Sequence, residues 1–175
     1  DSGTPLEQGA MRMFAHIPEI SKGLTAFAGS LKQNRSLPDR LVELVRLRVA
    51  FHNQCRSCMA IRYKDGQEDG ITEDLVCSLE KPMEAENLSD AEKAAIQYGE
   101  LFATNHLAIN DDIYDNLRKY FNESEIVELS MTVAFFVGFG RLAASYHMVE
   151  ELPESFQSNE KETLTPWGND SIIVR

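Results

Sequence analysis

The chain has 175 residues, enough for one domain with a substantial core, and its 43% hydrophobic and 26% charged residues are typical of globular proteins. Its 17 basic and 28 acidic side chains give a net charge of −11, which argues against nucleic acid or an anionic membrane as a partner. We recognise no secretory signal, and the longest uncharged apolar run, twelve residues at 129–140, is too short to span a bilayer.

Apolar residues recur at helical spacing along most of the chain and predict an all-α fold. Capping residues and prolines mark where the helices should begin. The expected helices cover residues 5–32 in two pieces divided at Pro18, 38–51, a helix from residue 55 onward, 72–79, 89–104, 111–120 and 123–149. Of the first segment, Met11, Met13 and Phe14 are expected to be core contacts, or alternatively to wall a pocket. No segment shows a convincing strand pattern.

The predicted helix at 123–149 is apolar nearly all round, so we expect it to be the buried central helix. Gly138 and Gly140 lie in its interior and predict close packing by a neighbouring element. Arg141 needs a carboxylate or carbonyl partner on such a helix. A core or intersubunit salt bridge is the expected partner, and a substrate carboxylate is the alternative.

The sequence changes character near residue 150, where polar residues and prolines replace the helical pattern. We therefore expect one all-α domain at 1–150 and a non-helical tail at 151–175. The tail ends in the apolar run 172–174, so we expect it to pack on a neighbouring subunit, although a disordered end is the alternative. Because the sequence begins at Asp1, we also expect that preceding residues have been removed.

Two cysteines in the pattern C-x-x-C, Cys55 and Cys58, stand at the predicted start of the second helix of a central hairpin. Cysteines three residues apart in a first helical turn lie on one face, about 5–6 Å apart at Cα, within disulfide reach. The free N–H groups and the dipole of a helix start favour a thiolate. The pair therefore indicates dithiol redox chemistry, which suits a reducing cytosol, and we expect a cytoplasmic protein.

The pattern Glu43…Cys55-x-x-Cys58, within residues 38–66, resembles the alkylhydroperoxidase AhpD/carboxymuconolactone decarboxylase family. This resemblance implies an AhpD-like helical bundle whose central hairpin carries the CxxC, and a peroxidase that needs no metal or other cofactor. It implies that Cys58 is peroxidatic, that Cys55 resolves it and that Glu43 relays protons. For Glu43 the alternative is a surface salt bridge with Arg46 or Arg48. The resemblance further implies a hydroperoxide substrate, an external thiol as electron donor and a homo-oligomer, a trimer or a multiple of one.

The chain departs from the family pattern where the hydroperoxidases carry two histidines, just before and four residues after the second cysteine. Here these positions hold Ser57 and Arg62. If the helix continues, Arg62 lies one turn beyond Cys58 on the same face, where its fixed charge would stabilise the thiolate but could not shuttle protons. Alternatively, Arg62 points to solvent or pairs with Asp65 or Glu68. His52, three residues before Cys55, is a candidate proton carrier or an ordinary surface histidine.

Other interpretations stay open. Cys77 is expected to be a buried, inert thiol. With His52, Cys55 and Cys58 it could in principle bind zinc, but no second paired motif accompanies the CxxC, so we expect no metal. Two rival functions are a decarboxylase or isomerase of a small lactone acid, as in the family branch that lacks a CxxC, and a non-catalytic, oligomeric redox sensor.

Overall fold

The computed structural model describes residues 4–149, 151–157, 163–168 and 173–175 and shows a mostly helical protein, which confirms the predicted fold class. Its α-helices are α1 (Pro5–Ala15), α2 (Pro18–Gln33), α3 (Asp39–Asn53), α4 (Arg56–Ala60), α5 (Lys64–Glu68), α6 (Glu73–Cys77), α7 (Asp90–Thr104), α8 (Asp111–Leu117), α9 (Glu123–Tyr146) and α10 (Glu154–Gln157). Short 3₁₀ turns occupy Ser78–Glu80 and His106–Ala108. Two strands of two residues, β1 (Ile61–Arg62) and β2 (Ile173–Val174), were not expected from the sequence.

The helices begin where the capping residues predict. Reciprocal capping boxes, in which the N-cap side chain and a glutamate three residues later each accept a backbone N–H, start α1, α7 and α9. Pro18 is the first residue of α2, as expected. The ends are less well predicted: α9 stops at Tyr146 rather than at residue 149, because His147 adopts a left-handed conformation (φ 50°).

The core is centred on α3, which packs against both α7 and α9. Ten of its fifteen residues are buried, whereas α9 buries one face only. The prediction that α9 is the buried central helix is therefore wrong. Its length and composition would also suit a bilayer, but its buried face packs in the core as in a globular domain. Gly140 fits the predicted close packing, since an added Cβ would lie 2.4 Å from the amide nitrogen of Asn53. A Cβ added at Gly138 would meet no described atom within 4 Å outside the α9 backbone, so the predicted close packing is not found there.

The described parts of the C-terminal segment pack against their own subunit. One helical turn, α10, corrects the expectation of a wholly non-helical tail, and β2 pairs in parallel with β1. Leu152, Phe156 and Trp167 are buried. These apolar side chains give the segment an intramolecular docking site. The predicted contact with a neighbouring subunit stays a prediction, and Ile172 lies outside the described residues.

Candidate active site at the Cys55–Cys58 pair

A tight reversal of the chain places the two cysteines. Helix α3 ends at Asn53, and Gln54 takes a left-handed conformation (φ 49°) that turns the chain back over α3. Cys55 is then the N-cap of α4, and its sulfur accepts the backbone N–H of Cys58 at 3.3 Å. The two cysteines form a disulfide with a Cα–Cα distance of 5.2 Å, in agreement with the predicted spacing.

The two sulfurs of this disulfide lie in different surroundings. Cys55 is fully buried, whereas Cys58 is half-buried and lines a cavity of about 420 Å³. Apolar side chains from α1, α2 and α9 form most of the cavity wall. They include Met13, Phe14, Leu24, Phe135, Phe136 and Phe139. Met13 and Phe14 thus wall a pocket, the alternative considered from the sequence, whereas Met11 is 70% exposed.

Arg46 brings a buried positive charge to the cavity beside Cys58. Its guanidinium donates from Nη1 to the carbonyl of Cys58 (2.6 Å) and from Nη2 to the carbonyl of Ile61 (2.7 Å). The Cζ atom of this guanidinium lies over the Tyr63 ring, 4.7 Å from the ring centre. Burial alone would lower the pKa of Arg46, but the adjacent carboxylate of Glu43 raises it above its usual value. A permanent cation therefore forms part of the cavity wall.

Glu43 reaches Cys58 only through Arg46. Its two oxygens accept from Nε and Nη2 of Arg46 at 2.6 and 2.7 Å, and one also accepts the backbone N–H of Tyr63 at 3.2 Å. The ion pair is buried on both sides, rather than a surface salt bridge. This arrangement makes Glu43 the residue that positions Arg46, and the structure shows no direct contact between Glu43 and either sulfur.

Arg62 does not lie on the same helical face as Cys58. Helix α4 ends before it, and Arg62 belongs to β1, where it is completely buried. Its five N–H donors go to the Glu73 carboxylate and to backbone carbonyls, including those of Met59 and Pro166. The predicted stabilisation of the Cys58 thiolate is wrong, because Arg62 ties β1 to α6 and to the C-terminal segment and has no donor left for a sulfur.

His52 also points away from the cavity. Its Nε2 lies 3.4 Å from Glu100, a carboxylate on α7 that also accepts two hydrogen bonds from Arg48. His52 and Arg48 together lower the pKa of Glu100 to about 2. His52 therefore belongs to a structural cluster between α3 and α7, and it is absent from the cavity wall. The prediction that it carries protons for the thiols is not supported by this placement.

The remaining candidates are dispersed. Cys77 is a free and exposed thiol, so the expectation of a buried one is wrong. Arg141 donates to the carbonyl of Ala103 and to the side chain of Asn53, so within this subunit its partner is a carbonyl rather than a carboxylate. Within the ranges that the structure describes, no three His, Cys, Asp or Glu side chains are grouped to hold a metal ion.

The sequence analysis placed none of four polar residues in the cavity wall: Thr25, Arg46, Asn53 and Tyr63. For Arg46 a signal was available, because it follows Glu43 by three residues and such pairs share a helix face. Tyr63 had no such signal, since its place depends on the chain leaving α4 as a strand. Ser57, noted only as a departure from the family pattern, is 8% exposed and also lines the cavity.

The chain is similar in sequence to one protein family and to several uncharacterized proteins. Residues 18–101 match the sequence model of the carboxymuconolactone decarboxylase family. An uncharacterized protein of Mycobacterium tuberculosis is 30% identical over 121 residues, and the match covers 67% of this chain but only 42% of that protein's length. The uncharacterized protein YnjA of Escherichia coli is 24% identical over 144 residues, which cover 82% of this chain and 77% of YnjA.

Solved structures share the fold. A protein of unknown function from Agrobacterium tumefaciens superposes with a TM-score of 0.66 at 22% identity, over 81% of this chain and 95% of its own. An uncharacterized peroxidase-related protein from Ralstonia eutropha, described as an alkylhydroperoxidase AhpD core, gives 0.66 at 17% identity, over 85% and 78%. The fold is thus AhpD-like. Residues 18–101 resemble the carboxymuconolactone decarboxylase family in sequence.

Proposed function

We propose that the protein is a thiol peroxidase that reduces organic hydroperoxides through a Cys55–Cys58 dithiol/disulfide cycle. The observation that carries this proposal is the unequal exposure of the two sulfurs: Cys58 faces an apolar cavity, and Cys55 is sealed behind it. A substrate entering the cavity meets one sulfur only. The other sulfur is within bonding distance to resolve the oxidised product.

In the first step, the thiolate of Cys58 attacks the terminal oxygen of the hydroperoxide. The O–O bond breaks, the sulfur becomes a sulfenic acid, and the alkoxide takes up a proton and leaves as an alcohol. Cys55 then attacks the sulfenic sulfur, so the disulfide forms and water leaves. An external thiol donor then transfers two electrons to the Cys55–Cys58 disulfide. The pair returns to the dithiol, and the donor is oxidised to a disulfide.

Arg46 is the residue best placed to assist the first step. Four of its five N–H donors are used by Glu43, Cys58 and Ile61. Among the described residues, the second N–H of Nη1 has no recorded partner, and Arg46 lines the cavity. A charge-assisted hydrogen bond from this group would stabilise the departing alkoxide. Tyr63 also lines the cavity and carries an O–H that can supply the proton.

The apolar wall favours a hydroperoxide with a hydrocarbon substituent over hydrogen peroxide, because burial of that substituent adds about 25 cal/mol for each Å². Cumene hydroperoxide with dithiothreitol as donor is a suitable test pair. We expect Cys58→Ser to reduce turnover to background. Cys55→Ser, mixed with the hydroperoxide in the absence of dithiothreitol, should stop at a trappable sulfenic acid on Cys58. Cys77→Ser, at the exposed third thiol, is the matched control and should turn over like the parent protein.

An outcome in which Cys58→Ser retains turnover, or in which the parent protein consumes no hydroperoxide, would contradict the proposal. The second outcome, with a disulfide that still cycles, is the behaviour expected of a redox sensor. The assay thus separates the enzyme from a non-catalytic dithiol protein of the same fold.

We also propose that the protein is a cytoplasmic homo-oligomer, a trimer or a multiple of one. The support is the exposed apolar side of α9, where Val127, Met131 and Tyr146 are 60%, 46% and 56% exposed. A Cβ added at Gly138 would meet no described atom within 4 Å outside the α9 backbone, so this part of the helix is open as well. Sedimentation at micromolar concentration should show no monomer, and a single monomeric species would rule the assembly out.

A further inference from the structure

Ser57 lies against the buried sulfur of the pair. The residue is 8% exposed, and its Oγ lies 3.6 Å from Sγ of Cys55. The backbone N–H of Cys58 points at the same sulfur at 3.3 Å. A disulfide sulfur carries no hydrogen, so in this state Ser57 O–H and Cys58 N–H must both be donors and the Cys55 sulfur must be the acceptor. The two hydrogen-bond donors that could stabilise a thiolate at Cys55 are thus already in place in the disulfide form.

A thiolate at Cys55 would depend on these donors. The sulfur is fully buried, and a buried charge loses its hydration unless hydrogen bonds replace it. Within the described part of the chain, the hydrogen bonds recorded for this sulfur come from Ser57 and Cys58 alone. The nearby cation, Arg46, is directed to the carbonyl of Cys58 instead. Among the described residues, the serine hydroxyl is therefore the one side-chain group that donates a hydrogen bond to Cys55.

We propose that Ser57 is a further catalytic residue of the dithiol cycle, whose hydroxyl stabilises Cys55 as a thiolate. The inference rests on the dithiol cycle of the proposed function but is independent of the oxidant. Cys55 is a thiolate at two points of that cycle: as the nucleophile that attacks the sulfenic acid, and as the leaving group when the disulfide is reduced. A lower thiol pKa makes a better leaving group.

The reduction step has a defined direction. A thiolate of the external donor attacks Sγ of Cys58, the sulfur that faces the cavity. A bond between donor and Cys58 forms, the Cys55–Cys58 bond breaks, and its electron pair remains on Cys55, which the Ser57 hydroxyl then holds as thiolate. The second thiol of a dithiol donor displaces Cys58 from the mixed disulfide. The donor ends as a disulfide, and the protein gains two electrons.

The test follows disulfide reduction by dithiothreitol without any peroxide. We compare the parent, Ser57→Ala and Ser57→Thr, all with Cys77→Ser to remove the exposed third thiol. Because the rate of exchange depends on leaving-group pKa, Ser57→Ala should slow reduction by about three- to tenfold. Ser57→Thr retains the hydroxyl and should stay within about twofold of the parent. An alanine variant that is reduced as fast as the parent overturns the proposal.

A second measurement separates chemistry from packing. In proteins with Cys58→Ser and Cys77→Ser, Cys55 is the sole remaining cysteine, and its pKa is read from ultraviolet thiolate absorbance against pH. Ser57→Ala should raise the pKa of Cys55, and Ser57→Thr should not. A purely structural serine would change the unfolding midpoint and leave the Cys55 pKa where it was, which would refute the inference. Neither the rate of disulfide reduction nor the pKa of Cys55 involves a hydroperoxide. A failure of the peroxidase proposal can therefore be distinguished from a failure of the proposed role of Ser57.

Discussion

The buried ion pair between Glu43 and Arg46 gives a prediction whose size can be worked out from the structure. The two side chains are 3% and 7% exposed and are joined by hydrogen bonds of 2.6 and 2.7 Å. Replacing Arg46 with methionine keeps the volume but leaves the Glu43 carboxylate buried without its cation. It also removes the donors to the Cys58 and Ile61 carbonyls.

Removing one partner of a buried ion pair costs about 3–5 kcal/mol, because an uncompensated charge remains in a poorly solvated site. With both groups this deeply buried, solvent screening reduces that figure little. In a domain of 175 residues, about 2–4 °C of melting temperature is lost for each kcal/mol. Arg46→Met should therefore lower the melting temperature by roughly 6–20 °C.

The assay is thermal and denaturant unfolding of the oxidised protein for Arg46→Met, Glu43→Gln and the double variant. Each single change should be costly, and the double variant should recover much of the loss, because it leaves no charge unpaired. Glu19→Gln, in the exposed pair with Lys22, is the control and should leave the midpoint unchanged. Single variants that each lose under about 1 kcal/mol, or additive effects in the double variant, would refute the reasoning.

The remaining predictions concern α3, α7 and α9. His52 and Arg48 hold the pKa of Glu100 at about 2 instead of 4.5, so the ionised carboxylate stabilises the fold above pH 4.5. This contribution should be lost as the pH falls from 4.5 toward 2. In Glu100→Gln the free energy of unfolding should therefore depend less on pH within that window, as measured by denaturant unfolding at each pH. His52→Ala should keep peroxide turnover within about twofold of the parent protein, because His52 contacts Glu100 and not the cavity. A loss of turnover well beyond that in kinetic assays would show that His52 takes part in the reaction. Gly140→Ala should destabilise the protein on denaturant unfolding, since its Cβ would lie 2.4 Å from an asparagine amide, whereas Gly138→Ala, with open space, should be tolerated.

Local features of the sequence predicted the secondary structure well. The starts of α1, α2, α7 and α9 follow from capping residues and a proline within four residues of each start, so no tertiary information was needed. The cysteine spacing likewise placed Cys55 and Cys58 within disulfide distance, since three residues of a helical turn set that separation.

The site itself depended on contacts that sequence spacing does not contain. Arg62 was expected on a helix beyond Cys58, but the chain becomes a strand there because it pairs with residues more than 100 positions later. That pairing buries Arg62 and moves it away from the sulfur. His52 and Glu43 are close to the cysteines in sequence, yet helix phase directs His52 toward α7 and brings Glu43 to Cys58 only through Arg46.

The orientation of α9 was missed for a related reason. A helix that is apolar nearly all round predicts burial but does not say whether the covering surface belongs to the same subunit. The structure covers one face only, and the described subunit leaves Val127 and Met131 largely exposed. The exposed apolar side of α9 is therefore the surface through which we expect the subunits to assemble.

The central claim is that a hydroperoxide oxidises this pair of thiols through Cys58, and a single-turnover experiment tests it most directly. The reduced protein is mixed with one equivalent of cumene hydroperoxide, quenched by thiol alkylation, and analysed by mass spectrometry. We predict that Cys55 and Cys58 are recovered as a disulfide, that Cys77 is alkylated, and that one equivalent of the alcohol is formed. Recovery of both cysteines as alkylated thiols, with the hydroperoxide unconsumed, would contradict the account.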